Sequence, residues 1–100
     1  MKIRFTSGAR KQLRDISLYF REVSPAAAVK VGHRLREVIA MLAERSAIGV
    51  PGRVPDTREF KVPGQPYRLT YRVVQHPDLP VLEVLRIHHE AQSEAPPDWL

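Results

Sequence analysis

The chain of 100 residues contains no cysteine. That excludes a disulfide framework and any thiolate metal site, and it fits a reducing compartment. Long hydrophobic runs are missing too. The longest, Val38–Ala43, has six residues, against the ~20 needed to span a bilayer. No apolar stretch follows Met1-Lys2-Ile3-Arg4-Phe5, so no secretory signal is expected. Internal repeats and low-complexity segments are absent. Acidic residues are in short supply: 11 Asp plus Glu stand against 16 Lys plus Arg, a formal charge of +5. A cytoplasmic protein without membrane association is expected, too short for a large cofactor-binding fold.

What is present describes one globular domain. The chain is 43% hydrophobic and 27% charged, too apolar for a disordered polymer. The charge is uneven. Residues 1–50 hold 10 basic and 4 acidic side chains (+6), and residues 51–100 hold 6 and 7 (−1). A basic surface favours an acidic partner, nucleic acid or protein. Arginines outnumber lysines 12 to 4, and arginine forks onto phosphate or carboxylate. GC-rich coding produces the same bias, so the excess decides nothing alone.

Apolar periodicity organises the chain. Ile3-Arg4-Phe5 alternates, which predicts a strand over residues 2–5. Thr6 or Ser7 can cap a following helix. Ala9, Leu13, Ile16 and Phe20 then fall on one helical face, and the helix is expected to run to about Val23. Ser24-Pro25 is a fresh start signal. Ala28, Val31, Leu35, Val38 and Leu42 continue a second helix to about Arg45, with Gly49 as a stop. Two helices with almost no loop between them predict a hairpin. Val50–Pro55 carries too much proline and glycine for a helix. Arg58–Val62 reads as a strand, Pro63-Gly64 as the centre of a type II turn, and Tyr67–Val74 as the clearest strand. Pro77-Asp78 turns the chain again, and Val81–His88 reads as a central strand. The expected fold class is α+β, with order β-α-α-β-β-β and the helical hairpin packed on an antiparallel sheet. The domain is expected over residues 1–90. Residues 91–100 form an acidic, proline-containing tail whose Trp99 needs a pocket.

The candidate chemistry lies in the two long strands. Arg68 and Arg72 are about 13 Å apart along a strand and could bracket phosphates or carboxylates; for the pair alone, an ordinary solvated face is the favoured reading. Arg86 and His88 share a face of the last strand and join Arg68 and Arg72 if Leu85 and Ile87 face the helices. Parity leaves this open, because Glu83 would then point inward. A histidine among arginines could move a proton while they hold an anion; a polar strand end is the plainer reading. Other templates fail. His89-Glu90 has no second histidine four residues on, and His88 and His89 point to opposite faces. Gly49-x-x-Gly52 lacks the Lys-Ser/Thr of a phosphate loop. No metal or cofactor is expected.

Several stretches in order carry a family resemblance. They are Ala9…Leu13…Ile16…Tyr19-Phe20 with Pro25-Ala26-Ala27, then Gly52-Arg53-Val54…Thr57-Arg58-Glu59, then Pro66–Val73, and finally Val84–His88. Over about residues 3–90 the chain resembles the ParE/RelE toxins of bacterial type II toxin–antitoxin modules. The resemblance implies the fold already read from pattern. The RelE-like branch cuts mRNA on the ribosome, which would make Arg68, Arg72 and His88 the catalytic candidates. The C-terminal tyrosine used by many of its members has no counterpart in Ala91–Pro96. The Gly-Arg-Val…Thr-Arg-Glu and Pro-Tyr-Arg stretches resemble the ParE-like branch more closely. That branch implies a plasmid-stabilisation toxin that inhibits DNA gyrase by direct binding and arrests growth. It also implies a cognate antitoxin with an acidic C-terminal segment, and operator DNA bound only by the toxin–antitoxin complex. Arg53, Arg58, Arg68, Arg72, Arg86 and His88 are the expected antitoxin- or target-binding residues. A third possibility is an inactive module that binds only antitoxin and operator.

Overall fold

The computed structural model describes residues 1–77 and 79–90. Strand β1 (Lys2–Phe5) is followed by helices α1 (Ser7–Val23) and α2 (Pro25–Glu44). A 3₁₀ turn over Ser46–Ile48 leads into β2 (Val50–Pro51), β3 (Arg58–Lys61), β4 (Tyr67–Gln75) and β5 (Pro80–His89). The strands lie in the order β1-β5-β4-β3-β2. β3, β4 and β5 form the expected antiparallel meander, and the two-residue β2 extends it at one edge. The sheet as a whole is mixed, because β1 pairs parallel with β5. A hairpin turn dictates direction only for the strands it joins. No turn joins β1 to β5, and the helices between them set their direction. The turn at Asp78 and the tail with Trp99 lie outside the described residues.

The helix boundaries follow local chemistry. Thr6, in extended conformation, accepts a hydrogen bond from the Ala9 N–H at 3.1 Å and caps α1. Ser24 serves both helices. Its N–H donates to the Phe20 carbonyl at 2.7 Å, and its hydroxyl accepts from the Ala27 N–H at 3.3 Å. Pro25 at the first position of α2 needs no N–H partner. Gly49 is not the cap of α2. It lies beyond the 3₁₀ turn with an ordinary φ of −67°, and its requirement is space. The Tyr71 hydroxyl accepts from the Gly49 N–H at 3.0 Å and donates to the Ser46 carbonyl at 2.6 Å. A Cβ on Gly49 would collide with that hydroxyl. Gly64 does need its freedom: its φ is +76°, and the Gln65 N–H donates to the Val62 carbonyl at 3.2 Å, as a type II turn requires.

Both helices bury their predicted stripes on one sheet face. Val31, Leu35, Val38, Ile39 and Leu42 of α2 share a core with Leu69, Tyr71, Leu82, Val84 and Ile87, and Leu13, Ile16 and Phe20 of α1 pack against it.

One irregularity decides the other face. Thr70 pairs with Arg86, but the next residue, Tyr71, pairs with Val84. Leu85 is therefore an extra residue, a β-bulge. It reverses the parity of β5, so Glu83 lies on the same face as Arg86 and His88. Thr6 anchors the bulge. Its N–H donates to the Val84 carbonyl at 3.1 Å, and its hydroxyl donates to the Leu85 carbonyl at 3.0 Å. Gln12 accepts from the Ile87 N–H at 2.7 Å. Thr6→Val removes the helix cap and a carbonyl's partner together, and should destabilise the fold by about 2 kcal/mol. Denaturant unfolding measures this; a loss under about 0.5 kcal/mol would show that the hydroxyl does not hold the junction.

Candidate functional site

The sheet face away from the helices is a charged surface with two centres. The first is Glu83, almost fully buried at 7% exposure. Arg4 from β1 approaches one carboxylate oxygen, with Nη2 at 2.7 Å and Nε at 3.0 Å. Arg72 from β4 approaches the other, with Nη2 at 2.8 Å and Nε at 2.9 Å. Burial pushes this carboxyl's pKa up. The hydrogen bonds and charges of Arg72 and Arg4 outweigh it and hold Glu83 below its ordinary value.

The second centre surrounds His88. Arg68 of β4 pairs in register with His88, and Thr70 with Arg86. Arg53, Thr70, Arg86 and His88 line a small cavity of about 40 Å³ together with Glu59. Arg68 donates to Glu59 across a long 3.4 Å contact. The His88 Nδ1 is buried and has no hydrogen-bond partner among the described residues. Burial lowers the His88 pKa first. Arg86, Arg68 and Arg53 lower it further, against the opposing charge of Glu59. His88 is therefore neutral at physiological pH.

Four of the six predicted binding residues, Arg53, Arg68, Arg86 and His88, gather at this second centre, and Arg72 belongs to the first. Arg58 stands apart. It pairs in register with Tyr71 on the helix-facing side, and its guanidinium donates to the Gly49 carbonyl at 2.8 Å. It holds the loop that Tyr71 also holds. His89 takes the opposite face from His88, as alternation predicts, and stacks edge-on against Tyr67 at 5.6 Å. Arg4, Glu59 and Glu83 were not among the predicted residues. Their signal is charge at an alternating strand position, legible only once the strand pairing is known.

Chemically, the face presents arginines around a neutral imidazole, with the acidic partners of Arg4, Arg68 and Arg72 built in. It can hold an anion or an acidic peptide. No group of three or more His, Cys, Asp or Glu able to hold a metal ion occurs among the described residues. No described helix is long and apolar enough to cross a membrane.

The family model of the ParE toxin of type II toxin–antitoxin systems, parDE, matches residues 3–94. The chain belongs to the ParE toxin family. Y4kP, a candidate toxin of Sinorhizobium fredii (strain NBRC 101917 / NGR234), is 35% identical over 89 residues, which cover 89% of this chain and 91% of the relative. Two solved structures show the same fold. The chromosomal ParDE toxin–antitoxin system from P. aeruginosa aligns with a TM-score of 0.73 at 23% identity, covering 89% of this chain and 95% of that one. The isolated E. coli RelE toxin aligns with a TM-score of 0.56 at 21% identity, covering 93% and 87%. The α+β arrangement of this ParE-family toxin is thus shared with both branches, and the fold does not separate their activities.

The electrostatics of the His88 centre are directly measurable. Its imidazole should titrate by NMR below the ordinary 6.5, and Arg86→Gln should raise the midpoint by removing the largest charge effect. A folded pKa below the unfolded one means that protonating His88 disfavours the fold, so full stability is present at neutral pH. It declines as pH falls below the unfolded value. A midpoint at or above 6.5 would contradict the burial and charge described.

Proposed function

We propose that this ParE-family chain is a toxin that inhibits DNA gyrase by direct binding, arrests growth, and is neutralised in the cytoplasm by an acidic antitoxin segment. The observation that carries the reading is the occupancy of the arginines on the open face. Arg4 and Arg72 are committed to Glu83, and Arg68 leans on Glu59. Cations already paired with carboxylates of their own fold suit exchange onto carboxylates of a protein partner. Cutting RNA by attack of its own 2′-hydroxyl on the adjacent phosphorus calls for a base to take that hydroxyl's proton, an acid to protonate the departing 5′-oxygen, and unpaired cations to hold the charge on the phosphate. Arg53, Arg68, Arg72, Arg86 and His88 are the proposed contact residues; Arg58 supports them through the Gly49 loop. The net charge of +5 favours the approach of an acidic antitoxin. Operator DNA is proposed as a ligand of the neutralised complex only, since a covered basic face leaves DNA contacts to the partner.

A second reading is a ribosome-dependent endoribonuclease. It is favoured by one observation, the unpartnered His88 Nδ1 beside Arg68 and Arg86. One experiment separates the two. Antitoxin-free protein is added to gyrase and relaxed plasmid, and supercoiling and DNA breaks are scored. The proposal predicts blocked supercoiling or trapped breaks, weakened at least tenfold by Arg68→Ala with the fold intact. No effect at large excess, together with ribosome-phased mRNA cuts that His88→Ala abolishes, would replace it with the nuclease.

A further inference from the structure

The hairpin loop between β2 and β3 is held more firmly than its burial requires. Residues 50–56 are all partly or fully exposed, so apolar burial does little to fix them. Hydrogen bonds do so instead. Next to the Pro51–Arg58 pair, the Gly52 N–H donates to the Thr57 carbonyl at 2.9 Å. Inside that closure lies a four-residue turn, Val54-Pro55-Asp56-Thr57. The Thr57 N–H donates to the Val54 carbonyl at 3.2 Å, and the Thr57 hydroxyl donates to the same oxygen at 2.6 Å. Proline second and a left-handed residue third are the marks of a type II turn. The third residue here is Asp56, with φ +65°. A side chain is strained in that conformation, where glycine is relaxed. Such strain persists when the surroundings over-determine it, and the doubled bond from Thr57 does that.

Thr57 is itself buried, at 5% exposure. Its hydroxyl occupies the place that a Cβ on Gly52 would need, so bare Gly52 is the seat of the hydroxyl. The residue after Gly52 is Arg53. Arg53, Val54 and Thr57 form one wall of the small cavity at Arg86 and His88. The lock between Gly52 and Thr57 therefore sets where Arg53 stands.

We infer that Thr57 is a positioning residue: seated against bare Gly52 and bonded twice to the Val54 carbonyl, it holds Arg53 at the His88 centre, preset for an acidic partner. A preset side chain loses less conformational freedom on binding than a loose one. The placement of Arg53 rests on the contacts just described; its use by a partner rests on the functional reading above.

The charged groups that face His88 are Arg86 on β5, Glu59 on β3, Arg68 on β4 and Arg53 on the loop. NMR titration of His88 in the full chain therefore reports the position of Arg53. Arg53→Gln should raise the midpoint by removing one cation beside the ring. Thr57→Val keeps the side chain's shape, removes its hydroxyl, and should raise the midpoint to the same value. Gly52→Ala attacks the lock from the other side and should do likewise. Thr57→Ser keeps the hydroxyl and should leave the midpoint where it stands in the unaltered chain. Thr57→Val added to Arg53→Gln should move nothing further. A midpoint unmoved by Thr57→Val, in a chain that circular dichroism shows to be folded, would overturn the inference. So would an undiminished shift in the Arg53→Gln background, which would mean that the lock only keeps water from the cavity. If Thr57→Val does not fold, Gly52→Ala decides by the same criteria; failure of both to fold would make the pair structural and overturn it too. The titration contains neither gyrase nor antitoxin, so its failure and the failure of the gyrase reading are separate events.

Discussion

The hydrogen bonds of Thr6 tie this molecule together. One residue ends β1, caps α1 and supplies both donors to the Val84 and Leu85 carbonyls at the bulge. A bulge leaves its extra residue outside the ladder, and carbonyls without partners are costly when buried. Thr6 removes that cost at the point where the helical layer joins the sheet. From this junction the parity of β5 follows, and with it the side of the sheet on which each charge stands.

The sheet face away from the helices is a consequence. Beyond the bulge, Glu83 stands with Arg86 and His88, and Arg4 and Arg72 close on it from the two neighbouring strands. A buried carboxylate between two guanidinium groups is a weak source of stability, since desolvation offsets much of the attraction. It is a strong source of position. Two of the sheet's arginines are held at fixed places along the face, and Arg68 is held loosely by Glu59. The charged face is thus partly ordered by the fold itself.

Much of this was legible in the sequence, and for identifiable reasons. Both helices declare themselves through apolar spacing and through Thr6 and Ser24-Pro25, because those signals act within a few residues. The Pro63-Gly64 turn and the alternation of Tyr67–Val73 are equally local. The parallel pairing of β1 with β5 was not legible, since it joins residues about 80 positions apart. The placement of Glu83 was undecided for a related reason. Alternation assigns faces only along an unbroken strand, and the apolar run Val84-Leu85 conceals the extra residue. Arg58 illustrates the opposite difficulty. In sequence it resembles the other arginines, and only its pairing with Tyr71 places it on the far side of the sheet, where it holds the Gly49 carbonyl.

The bulge and its consequences converge on one group, the Glu83 carboxylate, and its titration in the full chain is the most direct measurement. With Glu83 clamped on the open face by Arg4 and Arg72, its carboxyl carbon should titrate by NMR below the ordinary value of 4.5, and Arg72→Gln should move the midpoint upward. Because the folded pKa is depressed, the associated stability is present above the unfolded value and is lost as pH falls through the folded one. A midpoint at or above 4.5, unmoved by Arg72→Gln, would mean that burial dominates and no clamp exists. That result would contradict the parity change on which the whole charged face depends.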